Sequence, residues 1–125
     1  MSNSAYLVYL PQTQTLNEIV AWLQTKIKKA GTTQSGSTII VAFGTWKVRV
    51  VDFQESWVGQ EASELARRCQ DKKKKALLQS SVRRLEIYPS DDPNDKHYNN
   101  GLLLFEHLSA LPNAVGFDPS LGEFY

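Results

Sequence analysis

Thr38-Ile-Ile-Val-Ala-Phe43 is followed by Gly44-Thr45 and then by Trp46-Lys-Val-Arg-Val-Val-Asp-Phe53. The first run is almost wholly apolar, which is typical of a strand covered on both faces. The second run alternates apolar and basic residues over its first half, as a half-buried strand does. Because a glycine at the first central position suits a two-residue type II′ turn, this stretch predicts a tight β-hairpin.

A strand and a helix are predicted before this hairpin. Residues 5–10 are short, apolar and aromatic, and Pro11 ends the run, which indicates a buried strand. Thr15 and Glu18 have the spacing of a capping box, and apolar residues follow at helical spacing as far as Ile27. Residues 31–37 are small and polar, so we expect a loop that leads into the hairpin.

A second helix and a fourth strand are predicted after the hairpin. The helix either continues through the four lysines that begin at Lys72 or breaks near Asp71. Residues 80–88 read as a strand that places Arg83 and Arg84 on opposite faces. The inner stripe of the helix consists of Val58, Ala62, Leu65, Ala66 and Cys69.

The C-terminal part predicts a third helix and a short hairpin. A polar loop precedes residues 102–111, which form an apolar helical pattern that Pro112 ends. Residues 114–117 and 123–125 flank a turn sequence, which indicates two short strands. The final aromatics, Phe124 and Tyr125, are either tied into the sheet, which we favour, or exposed as a contact patch.

The order of these elements indicates a fold. The series β-α-β-β-α-β matches the ferredoxin-like plait, in which a four-stranded antiparallel sheet carries two helices on one face. The extra helix and hairpin would then be additions at the C-terminus. Residues 1–125 are therefore expected to form a single α+β domain, because this length suffices for one hydrophobic core.

Composition indicates a location. Cys69 is the one cysteine, which excludes an intramolecular disulfide and fits a reducing compartment. The first residues lack the basic and apolar regions of a signal peptide. No apolar run approaches the roughly 20 residues that span a bilayer. We therefore expect a cytoplasmic protein that does not interact with a membrane.

Charge is distributed unevenly along the chain. Residues 67–84 contain eight basic residues against one acidic residue, whereas residues 85–125 contain seven acidic residues against one basic residue. Two such segments can attract partners or each other, or can be two solvated faces. The candidate binding residues are the eight cations Arg67, Arg68, Lys72, Lys73, Lys74, Lys75, Arg83 and Arg84.

Two kinds of partner are considered for a non-catalytic binding domain. The leading hypothesis is a protein partner, with the chain acting as an adaptor, an immunity-type inhibitor or a regulatory homodimer. The alternative is nucleic acid, bound through the basic segment. Tyr6-Leu-Val-Tyr-Leu10 resembles the RNP2 pattern of RNA-binding RRM domains, but residues 47–53 lack the glycine and the paired aromatics of RNP1.

A third hypothesis is a metal-assisted enzyme built on the loop 91–97. Three aspartates and His97 lie in this loop, but their spacing matches neither an EF-hand nor a zinc site. Cys69 lies on a buried stripe, where a thiol is usually inert. The sequence has no nucleophile elbow, phosphate loop or dinucleotide glycine pattern, so no catalytic residue, metal or cofactor is assigned.

Overall fold

The computed structural model describes residues 6–125 as a mixed α+β fold with seven strands and four helices. The helices are α1 (Leu16–Lys26), α2 (Trp57–Ala66), α3 (Lys72–Gln79) and α4 (Tyr98–Ser109). The strands are β1 (Tyr6–Leu10), β2 (Gly31–Ser35), β3 (Thr38–Phe43), β4 (Trp46–Phe53), β5 (Arg83–Pro89), β6 (Val115–Asp118) and β7 (Glu123–Phe124). The first residue of the predicted N-terminal strand, Ala5, lies outside the described residues.

The central hairpin is confirmed. Strands β3 and β4 pair antiparallel with Phe43 opposite Trp46 across the turn. Gly44 has a φ of +66°, and Thr45 does not adopt a positive φ, as a type II′ turn requires. The alternation predicted in β4 is also present, because its first, third and fifth residues are buried and the basic residues between them are exposed.

The ferredoxin-like plait is not confirmed, because the sheet has more strands and a different order. All seven strands form one antiparallel sheet in the order β2-β3-β4-β5-β1-β6-β7. Strand β5 lies between β4 and β1, and β6 occupies the other side of β1. The wholly apolar and aromatic sequence of β1 explains this position, since a strand with a neighbour on each side and cores on both faces exposes almost nothing.

The helices pack on both faces of the sheet, so the expectation of two helices on one face is wrong. Helices α1 and α4 cover one face, where the larger core includes Leu23, Val50 and Phe105. Helices α2 and α3 cover the other face over a smaller core that includes Ala62 and Leu78. Adjacent residues of β1 therefore enter different cores.

The predicted loop at residues 31–37 is instead strand β2 and a turn. Ser35 lies opposite Thr38, and Gly36 has a φ of +60°, so Gly36 and Ser37 form a second two-residue hairpin. Thr32 is the buried residue of this strand. β2 reads as a loop in sequence because an edge strand that buries so little needs few apolar residues.

The structure also defines where three of the helices begin. The capping box of Thr15 and Glu18 is confirmed, with both of its hydrogen bonds present. The chain breaks before the lysines, since α3 is a separate helix capped by Asp71. Helix α4 begins at Tyr98 rather than near residue 102.

The C-terminal hairpin is confirmed, and its aromatics are tied into the sheet. Phe117 lies opposite Phe124, and Tyr125 exchanges two backbone hydrogen bonds with Gly116 at 2.8 and 3.0 Å. The Tyr125 ring also packs edge-on against Phe105. Across residues 6–125, no helix combines the length and the apolar character needed to cross a bilayer.

Candidate binding site

Six of the eight predicted cations lie on either side of the turn between α2 and α3. We call this group, which consists of Arg67, Arg68, Lys72, Lys73, Lys74 and Lys75, the basic corner. The two arginines directly follow the last residue of α2, and the lysines form the first turn of α3. The turn is held by Asp71, whose carboxylate accepts a hydrogen bond from the Lys74 backbone N–H at 3.0 Å.

The charges of the basic corner are largely exposed and unpaired. Only Lys74 is half-buried, with its Nζ 3.5 Å from the Phe124 carbonyl oxygen. The Arg68 guanidinium lies 5.8 Å from the centre of the Phe117 ring. Within residues 6–125, every ion pair involves Arg83 or Arg84 and none involves the basic corner. The corner therefore presents free positive charge to solvent.

The position of the lysines conflicts with the local electrostatics of α3. A helix N-terminus carries a partial positive charge, so cations in the first turn are unfavourable there. Asp71 is the favourable group at this end, and the hydrogen bond from the Lys74 backbone N–H holds the pKa of its carboxyl below the usual value. Folding alone does not favour lysines at this position. Residues that oppose local stability in this way are expected where a surface is used for binding.

A groove with an apolar wall lies beside the basic corner. Its volume is about 380 Å³. The sequence interpretation missed this wall because residues from α4, from the turn after it and from the C-terminus meet α3 only in the folded chain. The groove is lined, among others, by Lys73, Lys74, Leu77, Leu111, Pro112 and Tyr125. Ammonium groups and apolar surface are therefore adjacent at one place.

Arg83 does not belong to this surface. Its side chain is buried and forms an ion pair with Asp52, while Nη1 donates to the Gln14 carbonyl oxygen. The pair lines a polar cleft of about 530 Å³, which Gln12 and Gln54 also line. The inclusion of Arg83 with the lysines is corrected, because its charge is already matched inside the fold.

Arg84 is also separated from the lysines, on the opposite face from Arg83. Its guanidinium contacts the carboxylates of Glu61 and Glu86 and lies 4.5 Å from the centre of the Trp57 ring. Tyr9 donates a hydrogen bond to the same Glu61 oxygen that Arg84 contacts. This cluster joins α2 to the sheet, so Arg84 too is removed from the predicted site.

The loop 91–97 uses its polar groups to hold itself together. The Asp92 carboxylate accepts hydrogen bonds from the backbone N–H groups of Lys96 at 3.0 Å and His97 at 2.7 Å. The His97 ring stacks on Trp46. Over the described part of the chain, no three His, Cys, Asp or Glu side chains come together as a metal site.

The aromatics that resemble RNP2 do not form a stacking platform for bases. Tyr6 stacks on Phe105 with a ring separation of 4.2 Å, and Tyr9 is wholly buried under α2. Neither ring lies with an exposed partner on the neighbouring strands, which is the arrangement that RRM domains use.

Comparisons with protein-family models, with curated proteins and with solved structures find no significant match to this chain. The functional argument therefore rests on the geometry of the basic corner and of the groove beside it.

Proposed function

We propose that this protein is a non-catalytic binding domain that docks an acidic segment of a protein partner on the basic corner. The observation that carries the proposal is the first turn of α3, where exposed lysines occupy the end of the helix that disfavours cations. These lysines form no ion pair with any other described residue. A complementary acidic surface would neutralise this charge, guide association and select among partners.

The groove supports a protein ligand in particular. Lys73 and Lys74 border the same groove as Leu77 and Leu111. An extended segment that combines a carboxylate with an apolar side chain would match both parts of this surface. Protein interfaces commonly combine an apolar centre with a polar rim in this way.

Nucleic acid is the weaker candidate because two of the arginines proposed to contact it are buried. Arg83 and Arg84 are buried in ion pairs, so neither is free to neutralise a phosphate. A second copy of the chain can offer an acidic surface of the favoured class, since Asp91, Asp95, Glu106 and Glu123 are exposed. Cys69 is the one cysteine of the chain and is a free thiol, which fits the reducing compartment that we propose, the cytoplasm.

Charge reversal tests the proposal. The variant Lys72→Glu/Lys73→Glu/Lys75→Glu changes the corner, and Lys26→Glu/Lys28→Glu/Lys47→Glu makes the same net change at exposed lysines elsewhere. Each protein would be used to recover partners from extract with and without nuclease treatment, at low and at high salt, and its own oligomeric state would be measured by light scattering.

The two variants should behave differently. We expect a protein partner, or self-association, that is retained by the wild type and by the control variant but lost from the corner variant. Recovery of nucleic acid that disappears after nuclease treatment would assign the corner to the alternative partner. Equal recovery on all three proteins, or no recovery on any, would overturn the proposal.

A further inference from the structure

A separate pocket, which shares no lining residue with the groove beside the basic corner, lies between the end of β5, the loop that follows it and the start of α4. Its volume is about 250 Å³, and its wall is mostly apolar. The side chains that matter here are the aromatic rings of Tyr6, Trp46, His97 and Tyr98 and the carboxylates of Asp92 and Asp95. Aromatic rings and carboxylates together form the kind of wall that recognises organic cations.

The rings on the sheet side of the pocket are fixed in place. The Trp46 indole stacks on His97 with a ring separation of 4.7 Å and an interplanar angle of 2°, and its Nε1 donates to the Ser90 carbonyl oxygen at 3.0 Å. Tyr6 stacks on Phe105 at an interplanar angle of 12°. A ligand therefore meets a preformed wall and need not order it, which favours binding.

His97 is held by a chain of polar contacts that leads through Asn100 to Lys29. The Lys29 ammonium can only donate, and its Nζ lies 2.7 Å from Asn100 Oδ1, which fixes the orientation of that amide. The Asn100 Nδ2 therefore faces His97 Nδ1 at 3.0 Å, so the ring is held in place from its Nδ1 side. Among the described residues, no lysine or arginine lines the pocket.

The carboxylates give the pocket a negative potential. Asp92 is held by two backbone N–H groups and Asp95 is exposed, and within residues 6–125 neither forms an ion pair. At the adjoining end of the pocket, burial raises the pKa of the Tyr6 hydroxyl, and the nearby Tyr98 and Asp118 raise it further.

We infer that this pocket binds an alkylated ammonium group, such as a trimethylammonium head. The inference concerns a surface separate from the basic corner and does not depend on the proposed partner. The exposed Tyr98 ring attracts the diffuse charge of such a group, and the carboxylates complement that charge. The other rings of the wall supply apolar surface that suits the methyl groups. An unalkylated ammonium would lose more hydration on entering, so alkylation favours binding.

Choline and its neutral isostere 3,3-dimethylbutan-1-ol provide the probe pair, since they share a shape and differ in charge. Binding would be followed by the amide and indole N–H signals of Trp46 and its neighbours in NMR titrations of the full chain. We expect saturable binding of choline with an affinity about tenfold above that of the alcohol. Similar affinities for both compounds would show that the pocket does not recognise the positive charge, and this result would overturn the inference. A lack of choline binding would also overturn it.

Variants test the two parts of the wall. Tyr98→Ala removes an exposed ring, and Asp95→Asn removes a charge at a position whose φ of +52° asparagine tolerates. Each should weaken choline binding by about threefold or more. Asp91→Asn is the matched control, because Asp91 is exposed in the same loop and does not line the pocket. Equal weakening by the control variant would also overturn the inference.

Discussion

The Arg83 guanidinium and the Asp52 carboxylate form a two-point ion pair between β5 and β4. Nε lies 2.8 Å from Oδ1, and Nη2 lies 3.0 Å from Oδ2, with the two side chains 2% and 5% exposed. Because Nη1 donates to the Gln14 carbonyl oxygen, the same guanidinium also holds the segment that leads into α1. Removal of either partner would leave a charge buried without compensation.

Arg83→Met should therefore lower the free energy of unfolding by about 3–5 kcal/mol, measured by urea denaturation. The double variant Arg83→Met/Asp52→Leu should recover much of this loss, because it removes both charges together. A single-variant loss below about 1 kcal/mol, or a double variant that is less stable than the single, would contradict this interpretation.

The lysines in the first turn of α3 should lower the free energy of unfolding, although we propose that they contribute to binding. Lys72→Glu and Lys73→Glu place acidic groups at the helix end that favours them, so each should raise the free energy of unfolding by about 0.3–1 kcal/mol at low salt. Lys26 lies in the last turn of α1, where a cation is favourable, so Lys26→Glu should have the opposite sign. Urea denaturation of all three variants checks this, and a loss of stability in the α3 variants would contradict it.

Tyr9 should make the fold sensitive to alkali. Burial and its hydrogen bond to Glu61 raise the pKa of its hydroxyl above the usual value of 10.0. The stabilisation is complete below pH 10 and is lost as pH rises from there toward the folded-state pKa, since the unfolded chain releases this proton first.

Tyr9→Phe should accordingly flatten the alkaline decline in the free energy of unfolding, measured from about pH 8 to about pH 11. Tyr98→Phe, which removes a hydroxyl from an exposed ring, is the control. An alkaline decline that is as steep in Tyr9→Phe as in the wild type would show that other groups cause it.

Gly116 should resist any side chain. A Cβ at this position would lie 2.8 Å from the Phe105 ring and would also meet Ser109 Oγ, so α4 packs directly on the backbone of β6. Gly116→Ala should lower the free energy of unfolding by about 1–3 kcal/mol. The buried Ser109 Oγ has no hydrogen-bond partner among residues 6–125, so Ser109→Ala should be neutral or stabilising by up to about 1 kcal/mol. Thermal or urea unfolding compares the two, and a tolerated Gly116→Ala would contradict the close packing.

Local patterns in the sequence were sufficient for much of the secondary structure. The turn at Gly44 and the capping box of Thr15 depend on residues that are neighbours in the chain, and both are confirmed. Strand β2 was missed although the Gly36-Ser37 pair resembles Gly44-Thr45. Its residues are all small or polar, so the sequence shows no alternation of apolar and polar residues.

The strand order and the composition of the site could not be predicted in this way. Pairing of β1 with β5 and β6 depends on contacts between distant segments, and no local pattern specifies them. Charge alone likewise could not distinguish Lys72 from Arg83, since only the fold shows that one is exposed and the other is matched by Asp52.

The place of β1 in the sheet has a consequence for the time course of folding. Val8 lies opposite Leu85 on one side and Gly116 on the other, so both neighbours of β1 are synthesised long after it. Strands β2, β3 and β4 follow one another directly and can assemble early, whereas β1 must wait for a costly loop closure. Nascent or shortened chains that lack β6 would thus expose the aromatic residues of β1, and these are the chains that we expect to aggregate.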